Sequence, residues 1–192
     1  MPNPLSFPWP ADGALTRVSV IARRMQWLTL CCAVVVTAGL IAFWFLLPDA
    51  ELDRNLRAFL AGPAPGGQLL VSMPYRLLGL AITSVATALL VNGLMQAHRL
   101  FAALAGGAVL TLQTAMRLRR VALVVTAFSV VVPLTKTLLA MTLASTAANG
   151  PYMVVIITFG DVMLGLLGGL LLAIAWAMVE AARVALENES FV

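Results

Sequence analysis

Four stretches of this sequence are long enough and apolar enough to cross a bilayer as helices, over residues 26–47, 77–95, 121–141 and 154–179. Hydrocarbon offers no partner to a peptide N–H or C=O, so a crossing segment must satisfy those groups within itself. A helix does so, and about 20 residues at ~1.5 Å each cover the ~30 Å of a bilayer core. Composition agrees, because 61% of residues are hydrophobic and only 10% are charged, where soluble domains carry roughly a quarter charged. The sequence predicts an all-α integral membrane protein with four transmembrane helices, forming one membrane domain over 17–192.

The connecting segments read as follows. Pro2, Pro4, Pro8 and Pro10 fix too many φ angles and remove too many donors for a regular helix, so residues 1–16 are expected to be a mobile Pro-rich cytoplasmic arm. The first crossing exceeds the 7–15 apolar residues typical of a secretory leader, which favours an uncleaved signal-anchor. Asp49, Glu51, Asp53, Arg54 and Arg57, followed by the Pro63 to Gly67 turn cluster, read as an external loop with room for a short surface helix. Between the second and third crossings, Leu100, Phe101 and Leu104 share a helical face, Gly106-Gly107 breaks it, and Thr111 is placed to cap another helix. That pattern predicts two short interfacial helices on the inner membrane surface. Pro133 falls inside the third crossing, where neighbouring helices make it tolerable. Asn149-Gly150-Pro151 marks a turn, and Glu180, Arg183 and Glu187 carry the last helix into water as a cytoplasmic tail over 180–192.

The net charge is +4, with eleven Arg and one Lys. These do not cluster on a soluble face, as nucleic-acid binding requires. They flank the apolar runs, where Arg117, Arg119 and Arg120 are expected to face anionic headgroups. Counting basic residues on either side of the four spans orients the chain. Arg17, Arg23, Arg24, Arg99, Arg117, Arg119, Arg120 and Arg183 lie on one side, and Arg54, Arg57 and Arg76 on the other. The positive-inside rule then places both termini in the cytoplasm.

Little in the sequence points to a reaction. Haem in a helical bundle usually takes axial histidines, and the single His98 stands at a membrane boundary. Cys31 and Cys32 are adjacent within the first apolar run, without the second ligand cluster that a metal or redox site needs. The sequence contains no phosphate-cradling P-loop, no H-E-x-x-H and no G-x-S-x-G. No catalytic residue, cofactor, metal ligand or small-molecule substrate is indicated, so the chain is not expected to be an enzyme.

Two constellations remain. Asp161, Gly165, Gly169, Ala173 and Ala177 recur every four residues in the fourth span, and small residues at that spacing let helix backbones approach closely in lipid. The stripe reads as a helix-packing interface, with another helix of this chain or with a separate protein. Asp161 is costly in hydrocarbon and needs a partner. Lys136 lies at a matching depth, about 22 Å above the inner boundary at ~1.5 Å per residue. A buried Lys136–Asp161 pair is either structural or part of an ion relay, which Thr83, Ser84, Thr87 and Asn92 would extend.

Over its second half the chain resembles an uncharacterised bacterial membrane family, domain of unknown function two-nine-seven-five. Leu100-Phe101, Gly107, Leu110-Thr111 and Leu118-Arg119-Arg120 resemble its middle-loop pattern, Phe159-Gly160-Asp161 the start of its fourth helix, and Glu180 to Arg183 with Glu187 to Val192 its C-terminal signature. The chain departs from that pattern at Ala105-Gly106-Gly107-Ala108, where the family commonly carries charge. The resemblance implies a four-helix inner-membrane protein without an assigned reaction, some members of which accompany small helix-turn-helix regulators. The expectation is a non-catalytic accessory or regulatory subunit in the bacterial inner membrane. It would contact a membrane partner, or itself, through the Gly165/Gly169 stripe and a cytoplasmic surface comprising Glu180, Arg183, Glu187, Phe191 and Val192. The alternative is a small transporter or channel centred on Lys136 and Asp161.

Overall fold

The computed structural model describes residues 11–60, 72–106, 111–144 and 155–189. It holds five helices: α1 (Ala11–Phe45), α2 (Asp49–Leu60), α3 (Met73–Ala105), α4 (Leu112–Ala144) and α5 (Phe159–Glu189). No strand occurs among the described residues. All but α2 are long and apolar enough to cross a membrane, which is the architecture of a multi-pass membrane protein.

Several expected boundaries move. Helix α1 begins at Ala11, so the end of the predicted arm joins it; residues 1–10 lie outside the described residues, as do Pro63 to Gly67 and Asn149 to Pro151. The two interfacial helices do not form as separate elements. Gln96 to Ala105 prolongs α3 and Leu112 to Arg120 opens α4, because an unbroken backbone ladder is retained at no extra nucleation cost. The expected break at Gly106 and cap at Thr111 do occur: α3 ends there, and the Thr114 N–H donates to Thr111 Oγ1 at 3.2 Å. Helix α5 begins at Phe159 rather than at residue 154, and residues 155–158 are non-helical.

The long helices form an open row, α1 on α3, α3 on α4 and α4 on α5, with α2 touching α4. Glycine lies at each of the three contacts between long helices, as expected where hydrocarbon removes the hydrophobic drive and close packing decides association. Gly79 of α3 lies against the Trp44 ring of α1, and a Cβ there would overlap it. A Cβ at Gly93 would lie 2.9 Å from Val124, and one at Gly168 would lie 2.6 Å from Thr126 Oγ1.

Helix α2 explains where the core sits. Asp49 and Glu51 in its first turn and Arg57 in its last complement the helix dipole, and Asp53 pairs with Arg57 at 2.9 Å. The opposite face buries Leu52 and Leu56 with Trp44, Leu139 and Ile156, the core cluster of the molecule. Arg76 ties the α1–α2 corner to α3. Its guanidinium donates to the Trp44 and Leu47 carbonyls at 2.8 and 3.1 Å and to Asp49 at 2.5 Å. Carbonyls at the end of α1 have no partner in their own helix, so Arg76 is an inter-helix C-terminal cap rather than a headgroup anchor.

Candidate functional site

Lys136 and Asp161 meet. The ammonium of Lys136, on α4, lies 3.3 and 3.1 Å from the two carboxylate oxygens of Asp161, and both residues are buried. Asp161 has a second task that the sequence reading missed. Thr158 occupies the N-cap position of α5, and its backbone N–H and hydroxyl both donate to Asp161 Oδ2, at 2.8 and 2.6 Å. A side chain at the third helical position reaching back to the cap N–H is half of a capping box. The signal was present in the sequence as Thr158-x-x-Asp161.

This cap also explains why α5 starts late. Residues 155–158 are non-helical, and two of their N–H groups are met by side chains, Ile156 by Thr137 Oγ1 at 3.4 Å and Thr158 by Asp161 Oδ2 at 2.8 Å. The ammonium of Lys136 also donates to Thr158 Oγ1 at 3.3 Å and lies 5.7 Å from the centre of the Phe59 ring on α2. Thr158 and Phe59 thus join the node. Aromatic carbon over a desolvated ammonium adds a modest attraction.

Two cavities flank this node. One, about 680 Å³, lies between α1, α3 and α4 beneath α2 and is lined by Leu40, Phe43, Thr87, Leu90, Val132 and Lys136, among others. The second, about 380 Å³, reaches Asp161 from the opposite side, between Ser129, Pro133, Thr137 and Gly165.

The hydroxyls predicted to extend a relay turn to their own helices. Thr83 donates to the Gly79 carbonyl, Ser84 to Ala81 and Thr87 to Thr83, at 2.7, 2.7 and 3.0 Å. Thr83 in addition accepts from Trp44 Nε1 at 3.0 Å. Asn92 is exposed.

The four-residue stripe on α5 divides. Asp161 is buried and Gly165 faces Ser129, with a Cβ there 3.2 Å from its hydroxyl. Gly169, Ala173 and Ala177 are exposed, and a Cβ at Gly169 would meet nothing within 4 Å. Contact with α4 passes instead through Gly168 and Ala175, which are buried. Four residues advance a helix by about 40° more than a turn, so an i, i+4 stripe winds off any straight seam, whereas alternating three- and four-residue steps stay on it. The seam within the chain runs through Asp161, Gly165, Gly168 and Ala175, and the exposed part of the four-residue stripe, Gly169, Ala173 and Ala177, takes no part in it.

At the far end, Arg119 stacks over the Trp176 ring at 5.1 Å and Arg117 donates to the Arg99 carbonyl at 2.8 Å, while Arg120 is exposed. Gln26 and His98 join α1 to α3, with His98 Nδ1 3.0 Å from the Gln26 carbonyl. In the tail, Arg183 pairs with Glu187 at 3.0 Å and Glu180 is exposed; Phe191 and Val192 lie outside the described residues. Cys31 and Cys32 are both exposed, and among the described residues no three His, Cys, Asp or Glu gather as metal ligands. No family model, curated protein or solved structure matches the chain.

Proposed function

We propose that this chain is a non-catalytic accessory or regulatory subunit that packs against a membrane partner through the outward face of α5. In this reading it resides in the bacterial inner membrane with both termini in the cytoplasm. The α5 helix then extends toward the cytoplasm as a second contact. Membership of the family it resembles is part of the same reading. One observation carries it: Gly169, Ala173 and Ala177 stand exposed on a helix at the end of the row, unused by the chain's own packing. Small residues there allow the close backbone approach on which helix association in lipid depends.

The reading separates two adjacent glycines. Gly169→Leu is expected to leave unfolding in detergent unchanged, because its Cβ meets nothing within 4 Å. In cells carrying a photo-crosslinker at Ala173, the same change is expected to cut a discrete partner adduct at least tenfold. Gly168→Leu, pressed against the Thr126 backbone N at 2.8 Å, should instead lower stability by roughly 1–3 kcal/mol or more. An adduct undiminished in the Gly169→Leu chain would count against the proposal.

The transport reading is supported by the node's position between two cavities, with Lys136 lining one and Asp161 the other. The accessory reading is preferred because a pathway usually needs several polar groups along its length, and Thr83, Ser84 and Thr87 are engaged with backbone carbonyls. Proteoliposome flux discriminates between the two: under the accessory reading, Asp161→Asn leaves ion and solute movement at the parent level. A fall in flux at unchanged protein content would favour transport.

A further inference from the structure

Three guanidiniums stand within four residues of α4, and their contacts fix how they are spread around it. Arg117 donates to the Arg99 carbonyl of α3 at 2.8 Å. Arg119 lies over the Trp176 ring of α5, 5.1 Å from its centre. Helices α3 and α5 flank α4 in the row, in keeping with the turn of about 200° that separates Arg117 from Arg119 at ~100° per residue. Arg120 is exposed and falls between them on one side of α4, about 60° from Arg117 and about 100° from Arg119. The three form a cationic belt across an open face of the row, from its α3 edge to its α5 edge.

No carboxylate among the described residues neutralises this belt, since Arg117, Arg119 and Arg120 enter none of the salt bridges. Asp49, Glu51, Asp53 and Asp161 belong to the other end of the bundle. Glu187 pairs with Arg183, and Glu180 stands a turn beyond Trp176. Residues three apart on a helix are neighbours, so Arg117 and Arg120 repel each other until an anion screens them.

Beyond the belt the same face is apolar. Leu123, Ala127 and Val130 follow Arg120 in steps of three and four residues and are all exposed, so they continue its line along α4. From Arg120 to Val130 is about 15 Å at ~1.5 Å per residue, the hydrocarbon depth of one leaflet, half of ~30 Å. Trp176 is exposed and sets an amphipathic ring level with the guanidiniums, as at a membrane–water boundary. Positive charge at the head of an exposed apolar strip of leaflet length matches a lipid better than a soluble anion or an acidic protein segment. Guanidinium binds phosphate bidentately, and the unbalanced positive charge disfavours headgroups that carry a cation of their own.

We propose that this face holds one anionic phospholipid, its phosphate at Arg120 between Arg117 and Arg119 and its chains along Leu123 to Val130. A general attraction of basic flanks for headgroups is thereby sharpened to a site of defined occupancy and charge selectivity. The site uses none of Gly169, Ala173 and Ala177, so it stands or falls separately from the proposed partner face.

The test offers the full-length chain in detergent equimolar phosphatidylglycerol and phosphatidylcholine of matched chains, with bound lipid identified by native mass spectrometry. Phosphatidylglycerol is expected to be preferred at least fivefold, saturating at about one per polypeptide. Arg119→Gln with Arg120→Gln should abolish the preference and, both side chains being exposed, leave the chain folded. Arg120→Gln alone, which disturbs no intramolecular side-chain contact among the described residues, should cut it at least twofold. Arg23→Gln with Arg24→Gln removes the same charge from exposed positions at the same end of the bundle, on α1, and should leave it intact. A parent chain without preference, phosphatidylglycerol uptake without a saturating first site, or an equal loss in the α1 variant would each overturn the assignment. Displacement of the lipid by millimolar inorganic phosphate would overturn it too, by giving the belt to a free anion.

Discussion

Asp161→Leu is expected to cost about 3–5 kcal/mol in reversible unfolding from mixed micelles, the range for stranding one partner of a buried ion pair. The substitution leaves the Lys136 ammonium with only Thr158 Oγ1 and the Phe59 ring nearby, and it also removes the acceptor for the Thr158 N–H at the start of α5. Lys136→Met is expected to cost less. The carboxylate it strands keeps two donors, the Thr158 N–H and hydroxyl. The double variant Lys136→Met with Asp161→Leu should recover most of the loss, because two desolvated charges disappear together and apolar side chains of similar size replace them. The residual deficit is the missing cap, roughly 0.5–2 kcal/mol. Additive single and double effects would mean that the two groups do not interact across α4 and α5.

Trp44→Ala is expected to be of similar size, about 3–5 kcal/mol, as for other buried large-to-small aromatic changes. The indole is fully buried, at 0% exposure, in the cluster that joins α1, α2, α3 and α4. Its Nε1 is tied to Thr83 and its ring lies flush on Gly79. Gly79→Ala in the parent chain should destabilise, since the added methyl overlaps the Trp44 ring and moving that ring breaks its Nε1 bond to Thr83. In the Trp44→Ala background the same methyl enters the vacated space, so Gly79→Ala should be close to neutral there. A cycle of these four chains, followed by unfolding in detergent, is expected to show coupling within the ~0.5–3 kcal/mol seen for residues in contact. Independence of the two changes would place the ring elsewhere.

The residues carrying these predictions differ in how far they could be read in advance. Lys136 and Asp161 were legible as a pair, because charge in an apolar run demands a partner and helical rise converts residue number into depth. The pairing came about by a different route from the one expected, since α5 starts at Phe159 and not five residues earlier. Thr158 was overlooked because hydropathy averages over a window and is blind to a single capping hydroxyl. Trp44 carried no signal in the sequence, and Arg76 read only as a basic residue flanking the second span. Only their packing showed one filling the space over Gly79 and the other closing the end of α1.

The sequence alone determined how many helices are long and apolar enough to cross, roughly where each lies, and where Gly106 and Thr111 interrupt the chain. Those properties are sums or local contacts: transfer free energy accumulates residue by residue, and a cap involves neighbours in sequence. Tertiary structure alone decided that the helices stand in an open row, that α2 roofs a groove, and that α5 turns Gly168 inward and Gly169 outward. Each of these depends on the rotation of a helix about its own axis. In a chain apolar on nearly every side hydropathy leaves that rotation undetermined, and it is set by which small residues let two backbones approach.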